Sequence, residues 1–240
     1  MTSSTKDHVG PGSGKMFDKI AGRYDLLNRV MSLGMDVSWR KKAVAALALR
    51  DGDHVLDLAT GTADLAIALT QAKPSVRVTG LDPSVNMIDV GREKIERMGL
   101  RDRVTFIEGD AQALPFQDCS FDGVTMAFGI RNVPNRFAAL KEMARVVRRK
   151  RHVCILELTE PGTGWFGSVA KWYVHSIVPA LGAMLSGADE YRYLQRSIEA
   201  FPSATEFGKL MQQAGLELLE IQTLGFGACN LYVARPSPAA

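Results

Sequence analysis

The strongest constraint on the fold is an alternation, between residues 54 and 158, of short apolar runs with segments of helical period. The runs are HVLDLA (54–59), VRVTGLD (76–82), VTFIEGD (104–110), FDGVTMAF (121–128) and HVCILEL (152–158). Between them, 64–72, 85–98 and 136–149 repeat apolar residues at helical spacing. Strands that are apolar on both faces and alternate with helices are typical of a parallel sheet covered on both sides. The sequence therefore predicts a doubly wound α/β fold.

The two ends of the chain complete this prediction. Residues 1–15 are polar and Gly/Ser-rich, which predicts a disordered arm, and 16–50 have the spacing of N-terminal helices within a domain spanning 16–240. After a helix at 204–214, LELLEIQTL and ACNLYVA are separated only by 225–227, which indicates a hairpin. We therefore expect a mostly parallel, seven-stranded sheet with one antiparallel edge strand.

A helical cap is predicted at 162–200, between the fifth strand and the last helix. The stretch 165–185 is apolar and about as long as a membrane-spanning helix. Lys171, His175 and Pro179 interrupt it, and each is costly or disruptive within a bilayer. A cap over an apolar substrate pocket is therefore favoured, although the same surface would also suit packing on the sheet or a homodimer contact.

Composition and charge exclude several classes of protein. The net charge of +3 gives no indication of nucleic-acid binding. Cys119, Cys154 and Cys229 are widely separated, so neither a metal site nor a disulfide framework is predicted, and a cytoplasmic location is favoured. The basic run 145–152 is interpreted as a solvated helix end or, alternatively, as a peripheral contact with the inner face of an anionic membrane.

A glycine turn, Asp57 to Asp64, follows the first predicted strand directly. Doubly wound folds bind nucleotide-like ligands at this place, and Gly61 allows a ligand to approach the main chain. The turn is neither GxGxxG nor a P-loop, which argues against NAD and against phosphate binding.

Two further acids follow the next two strands. Asp82 would accept the two hydroxyls of a ribose, and Asp110, beside Ala111, would accept an adenine amino group. Each acid alone would be explained as a helix cap, but acids after three successive strands favour a shared ligand.

These motifs resemble those of a known family. The D-x-x-x-G-T turn at 57–62, the acid at Asp82 and the D-A-x-x-L-P-F run at 110–116 resemble class I S-adenosylmethionine methyltransferases. The blocks 16–40, FGIRNV (128–133), LELTEP (156–161) and EYRYLQRSI (190–198) resemble the ubiquinone/menaquinone biosynthesis C-methyltransferases. The resemblance covers almost the whole chain after residue 15. It implies a Rossmann-like fold, S-adenosylmethionine as cofactor, and methyl transfer to a ring carbon of a reduced prenylated quinone, with demethylmenaquinol as the first choice.

The resemblance also implies which residues form the site. The cofactor-binding set is Asp57, Gly61, Thr62, Asp82, Asp110, Ala111 and Ala127, and the substrate-pocket set is Phe128, His175, Tyr191 and Tyr193.

Four residues are candidates for the chemistry. Arg131 would stabilise a phenolate, or form an ion pair that holds its loop. Asn132 would orient the same oxygen or cap a turn. Asp64 would act as base or relay or stabilise a helix start, and Tyr24 would reach a ring hydroxyl or pack in the core.

The sequence also departs from the family pattern. Ala63 stands where glycine is usual, Ala127 where serine is common, and 149–152 replaces Lys-Pro-Gly-Gly. Three alternatives therefore stay open: a methyltransferase for another phenolic or lipid-like acceptor, a non-catalytic binding protein with this fold, and, last, an NAD-dependent dehydrogenase.

Overall fold

The computed structural model describes residues 17–18, 21–160 and 188–238. Its strands form one seven-stranded sheet of order β3-β2-β1-β4-β5-β7-β6. They are β1 (His54–Leu58), β2 (Arg77–Asp82), β3 (Val104–Glu108), β4 (Gly123–Ala127), β5 (Val153–Leu158), β6 (Leu216–Leu224) and β7 (Cys229–Pro236). Strands β1 to β5 are parallel, and β7 is antiparallel to both of its neighbours. The doubly wound fold is confirmed, but the reversed strand lies one position inside the edge, because β6 pairs outside it.

Helices cover both faces of this sheet. They are α1 (Tyr24–Met31), α2 (Met35–Ala46), α3 (Asp64–Ala72), α4 (Val85–Arg97), α5 (Arg136–Val146), α6 (Ala188–Glu199) and α7 (Ala204–Gln213). One apolar core contains buried residues of α5 and α7, such as Leu140 and Phe207. The other contains buried residues of α2, α3 and α4, such as Trp39, Leu69 and Ile95.

Two predicted helices have different limits in the structure. The N-terminal helical segment is divided into α1 and α2 by a turn in which Leu33 and Gly34 have φ values of 52° and 75°. Helix α5 ends at Val146 instead of continuing to residue 149. It ends there because the N–H of Arg148 donates to the carbonyl of Phe121 at 2.8 Å, which draws the chain towards the sheet.

Parts of the predicted arm and cap lie outside the described residues, namely 1–16 and 161–187. The apolar stretch 165–185 and His175 are among them, so the cap stays a prediction; of its residues the structure describes the helix α6 (Ala188–Glu199) and Ala200. Within the described part of the chain, no helix is long and apolar enough to cross a membrane.

Candidate active site

A cavity of about 510 Å³ opens at the carboxyl ends of the parallel strands. The glycine turn, the β2–α4 turn, the loop after β4 and the N-terminal helices contribute to its wall. Arg40 is the only cation among the described lining residues. The lining also carries five carboxylates, those of Asp18, Asp57, Asp64, Asp82 and Asp110. Such a wall favours ligands that donate hydrogen bonds or carry positive charge.

Asp82 links the end of β2 to the glycine turn. Its Oδ2 accepts from the backbone N–H of Gly61 at 2.8 Å, and its Oδ1 accepts from the N–H of Ser84 at 2.9 Å. Burial raises the pKa of Asp82 to about 6, although both amides stabilise the carboxylate. The carboxylate is therefore fixed in orientation at the wall of the cavity.

Asp57 is held from both sides by threonine hydroxyls. Thr60 donates at 2.7 Å and Thr125, on neighbouring β4, donates at 2.9 Å. Asp57 is only 1% exposed, and burial raises its pKa to about 6. It therefore fixes the start of the turn to the sheet at the cost of a buried carboxylate.

The glycine turn uses left-handed backbone at alternate positions. Ala59, Gly61 and Ala63 have φ values of 49°, 54° and 68°. For alanine this conformation costs roughly 1 kcal/mol, and such strain is concentrated at functional sites. Ala63 thus adopts the conformation for which the family glycine is suited, so this substitution strains the turn without removing it.

The remaining predicted cofactor residues also lie at the cavity. Asp110 lies two residues beyond β3, where the Nε2 of Gln112 donates to its two carboxylate oxygens at 3.0 and 2.8 Å. Ala111 is buried beside it, and Ala127 ends β4. Thr62 lines the cavity as well, so all seven predicted cofactor residues are brought together.

Arg131 is not among the residues that line the cavity. Its Nη1 donates to Glu157 Oε1 at 2.7 Å and to the carbonyl of Phe128 at 2.5 Å. Its backbone N–H donates to Glu157 Oε2 at 3.0 Å. Burial opposes the charge of Arg131, but Glu157 holds its pKa above the usual value. The ion-pair alternative therefore describes its contacts, and direct binding of a ring oxygen does not follow from this geometry.

Tyr24, Phe128 and Asn132 do line the cavity. Burial raises the pKa of Tyr24 while the charge of Arg131 lowers it, and the net shift is upward. The Tyr24 hydroxyl therefore keeps its proton at neutral pH. Asn132 Oδ1 accepts from the hydroxyl of Tyr193, on α6, at 3.1 Å. The side chain of Tyr191 lies outside the described residues.

Asp64 lines the cavity at the start of α3, but its carboxylate is shared by cations. It contacts Lys94, and its Oδ2 lies 3.8 Å from Arg40 and 3.9 Å from Arg29. This arrangement suits a charge partner better than a free base.

Sequence reasoning missed several residues of the site. Ser84 accepts from the N–H of Met87 at 3.2 Å, a helix cap that a serine before a helical run would have indicated. Thr60, Thr125 and Arg40 became visible only in three dimensions, as did Asp18, which accepts from Ser84 Oγ at 2.5 Å. No group of potential metal ligands occurs among the described residues.

The basic run 145–152 lies at the opposite end of the parallel strands from this cavity. It precedes β5, at the amino ends of the parallel strands, whereas the cavity is at their carboxyl ends. Arg148 pairs with Asp122 at 2.6 Å, and Arg151 contacts Asp53. The run is therefore partly neutralised and does not surround the entrance to the site.

Comparison with known proteins gives consistent matches over nearly the whole chain. Demethylmenaquinone methyltransferase of Thermus thermophilus is 42% identical over 219 residues, covering 91% of this chain and 98% of that protein. Ubiquinone/menaquinone biosynthesis C-methyltransferase UbiE of Geotalea uraniireducens is 38% identical over 220 residues, covering 91% and 94%.

Solved structures support the fold. A putative S-adenosylmethionine-dependent methyltransferase of Methanococcus maripaludis superimposes with a TM-score of 0.69 at 16% identity, covering 99% of this chain and 97% of that one. A putative methyltransferase bound to the Trm112 activator of Haloferax volcanii gives 0.66 at 22%, covering 92% and 97%. The model of the ubiE/COQ5 methyltransferase family matches residues 2–235, and the chain belongs to that family.

Proposed function

We propose that this protein transfers the methyl group of S-adenosylmethionine to a ring carbon of a reduced prenylated quinone, with demethylmenaquinol as the acceptor. The observation that carries the proposal is the acidic cavity at the carboxyl ends of β1 and β2, in a chain of the ubiE/COQ5 methyltransferase family. The curated relative from Thermus thermophilus, named demethylmenaquinone methyltransferase, supports the choice of acceptor.

The cavity residues fit the cofactor. Asp82, Asp110 and Ala111 line the cavity, where Asp82 would accept a ribose diol and Asp110 with Ala111 would suit an adenine edge. The turn from Ala59 to Ala63 would then contact the methionine end of the cofactor, where the acidic wall matches a cationic group. When bound, S-adenosylmethionine supplies a sulfonium methyl that is already electrophilic. The protein's task is then to align the acceptor and raise the electron density of its ring.

A ring hydroxyl becomes a much stronger donor of electron density when it loses its proton. The charge of Arg131 lowers the pKa of both Tyr24 and Tyr193, partly offsetting their burial. A hydroquinone hydroxyl in the same region would feel the same charge. We assign Arg131 this electrostatic role without direct contact. Tyr24 would donate to a ring oxygen, and Asn132 would orient the ring.

The same proposal extends to a peripheral contact with an anionic bilayer, where a prenylated quinol dissolves. Helices α1 and α2 border the cavity through Tyr24 and Arg40. On these helices and the turn between them, Leu26, Leu33 and Val37 are 56%, 66% and 38% exposed. Residues 21–46 contain three more basic than acidic side chains (Arg23, Arg29, Arg40, Lys41 and Lys42 against Asp25 and Asp36). Exposed apolar side chains on helices with excess cations suit an anionic lipid surface.

Two measurements in sequence test the function. Calorimetric titration with S-adenosylmethionine should show saturable binding, while NAD as a control should show none. Methyl transfer is then measured with demethylmenaquinol, with the corresponding demethylated benzoquinol, and with a simple water-soluble phenol. Product from the naphthoquinol supports the proposal, whereas product from the phenol alone would favour the other-acceptor alternative. Absence of cofactor binding would favour a binding protein that has kept the fold.

A further inference from the structure

We propose that Lys94, on α4, is a positioning residue that holds α1, and with it Tyr24, against the cofactor turn. The inference rests on the proposed function, because Tyr24 matters only if the cavity receives an acceptor ring. Lys94 itself is not among the residues that line the cavity.

The ammonium group of Lys94 connects α4 to three other parts of the chain. Its Nζ lies 2.7 Å from Asp25 Oδ2 on α1 and 3.4 Å from Thr62 Oγ1 in the turn, and it contacts Asp64 Oδ1 at the start of α3. Thr62 Oγ1 also donates to Asp25 Oδ1 at 2.5 Å. The side chain of Lys94 is only 17% exposed, so water screens these contacts weakly.

Helix α1 depends on such contacts because it has little apolar anchoring. It has eight residues, and Leu27 is its only buried aliphatic side chain. A helix this short is not stable by itself in water, so its position is set by what it touches. Asp25 connects it to Thr62 of the glycine turn, and Arg29 adds an ion pair to Asp36 of α2 at 3.4 Å and a longer one to Asp64 at 3.9 Å.

The other end of the connection is rigid. Helix α4 is capped by Ser84, and Ile88 and Ile95 are 1% and 2% exposed. Lys94 therefore extends from a fixed scaffold to a weakly anchored helix. Tyr24 is the neighbour of Asp25 in sequence, so displacement of Asp25 would move the Tyr24 hydroxyl in the cavity.

Loss of the ammonium would leave the carboxylates of Asp25 and Asp64 without the cation that they share. Like charges at this range repel each other. Because α3 is anchored by Leu65, Ala66 and Leu69, α1 is the element that would give way.

The test compares Lys94→Met with Lys94→Arg and with Arg92→Met. Arg92 is a matched control, since it pairs with Asp89 on the same helix at 2.8 Å but is 54% exposed. At saturating cofactor and acceptor, Lys94→Met should lower kcat at least tenfold, with a change below about threefold in the Kd for S-adenosylmethionine. Lys94→Arg should recover most of the rate, and Arg92→Met should match the parent protein.

Hydrogen exchange separates positioning from general stability. Lys94→Met should speed amide exchange in residues 24–31 while leaving β1 and β4 unchanged. Unchanged exchange in α1, or faster exchange throughout the sheet, would overturn the proposal. This readout needs no turnover, so it remains decisive if the assigned acceptor is wrong.

Discussion

The backbone N–H of Gly61 donates to the carboxylate of Asp82 at 2.8 Å, across the gap between the turn after β1 and the end of β2. This contact makes one acid serve two purposes. It completes the glycine turn, and it fixes the carboxylate that we propose as the acceptor for a ribose. The helix-cap and ligand interpretations of Asp82 are therefore compatible, since Ser84 also donates to it from the start of the following helix.

The first prediction concerns Asp82→Asn. An amide offers one acceptor in place of two and presents an NH2 group to a backbone donor. A hydrogen bond to a charged group contributes about 1.5–3 kcal/mol, so the Kd for S-adenosylmethionine should rise about 10- to 100-fold. Calorimetry at pH 7.5 measures this, with Asp89→Asn on the surface of α4 as the control. Equal affinity of the two variants would contradict the assignment of Asp82.

The second prediction concerns Asp57→Asn, which should stabilise the protein without cofactor. Burial raises the pKa of Asp57 from 3.8 to about 6. The folded state therefore binds a proton that the unfolded state releases, and this stabilisation is lost as the pH rises from about 4 to about 6. At pH 7 the variant should gain about 1–2 kcal/mol, because an amide can still pair with the hydroxyls of Thr60 and Thr125.

Urea unfolding at pH 5 and pH 7 measures this gain. The difference between parent and variant should be larger at pH 7 than at pH 5. A variant less stable than the parent at both pH values would show that the threonine contacts outweigh the cost of burying the charge.

The sheet and its acids were predictable for one physical reason. A strand that is buried on both faces appears in the sequence as a run of apolar residues, and parallel strands bring their carboxyl ends to the same edge of the sheet. Asp57, Asp82 and Asp110 could therefore be placed near one another from local sequence alone.

The contacts of Arg131 and Lys94 were not predictable in this way. Glu157, the partner of Arg131, lies within the apolar run of β5 and is fully buried. Asp25 and Lys94 are 69 positions apart. Contacts between residues so far apart in the sequence depend on the packing of the folded chain, which the periodicity of a single strand does not indicate.

The third prediction concerns the buried pair of Arg131 and Glu157. Arg131→Ala leaves Glu157 as an uncompensated buried charge, so it should cost about 3–5 kcal/mol of unfolding free energy. A loss of turnover in that variant would thus have two causes. The double variant Arg131→Met with Glu157→Leu should recover most of the stability, since apolar replacement of a buried pair is often neutral.

Activity of the double variant decides the role of Arg131. If its charge stabilises the acceptor's phenolate, turnover should stay at least 100-fold below that of the parent although the fold and the Kd for S-adenosylmethionine are retained. Recovery of turnover together with stability would reduce Arg131 to holding its loop.

The fourth prediction concerns the Tyr24 hydroxyl, tested with Tyr24→Phe. Because its pKa is raised, the hydroxyl acts as a hydrogen-bond donor at neutral pH and does not serve as a base. Removing it should lower kcat about 100-fold, the lower end of the range for one donor to a developing charge, with little change in cofactor affinity. Leu26→Ala, at an exposed position of α1, is the control for helix disturbance, with both variants assayed in detergent so that membrane contact does not affect the rate. Equal effects of the two substitutions would remove Tyr24 from the reaction.

The last prediction concerns the three exposed apolar residues of the N-terminal helices, Leu26, Leu33 and Val37. Vesicles of phosphatidylglycerol and phosphatidylethanolamine, without quinol, should bind the protein, and changing all three residues to serine should weaken binding at least tenfold. Each apolar side chain withdrawn from water contributes about 1.5–3 kcal/mol when fully buried, so partial insertion of three is sufficient. Serine at Met98, Phe137 and Leu219, which are similarly exposed elsewhere, provides the control.

Binding should also weaken in 0.5 M salt, since the excess cations of the N-terminal helices attract the lipid headgroups. If the control variant loses as much binding as the variant at Leu26, Leu33 and Val37, the contact is not specific to these three residues, and the quinol must reach the cavity by another route.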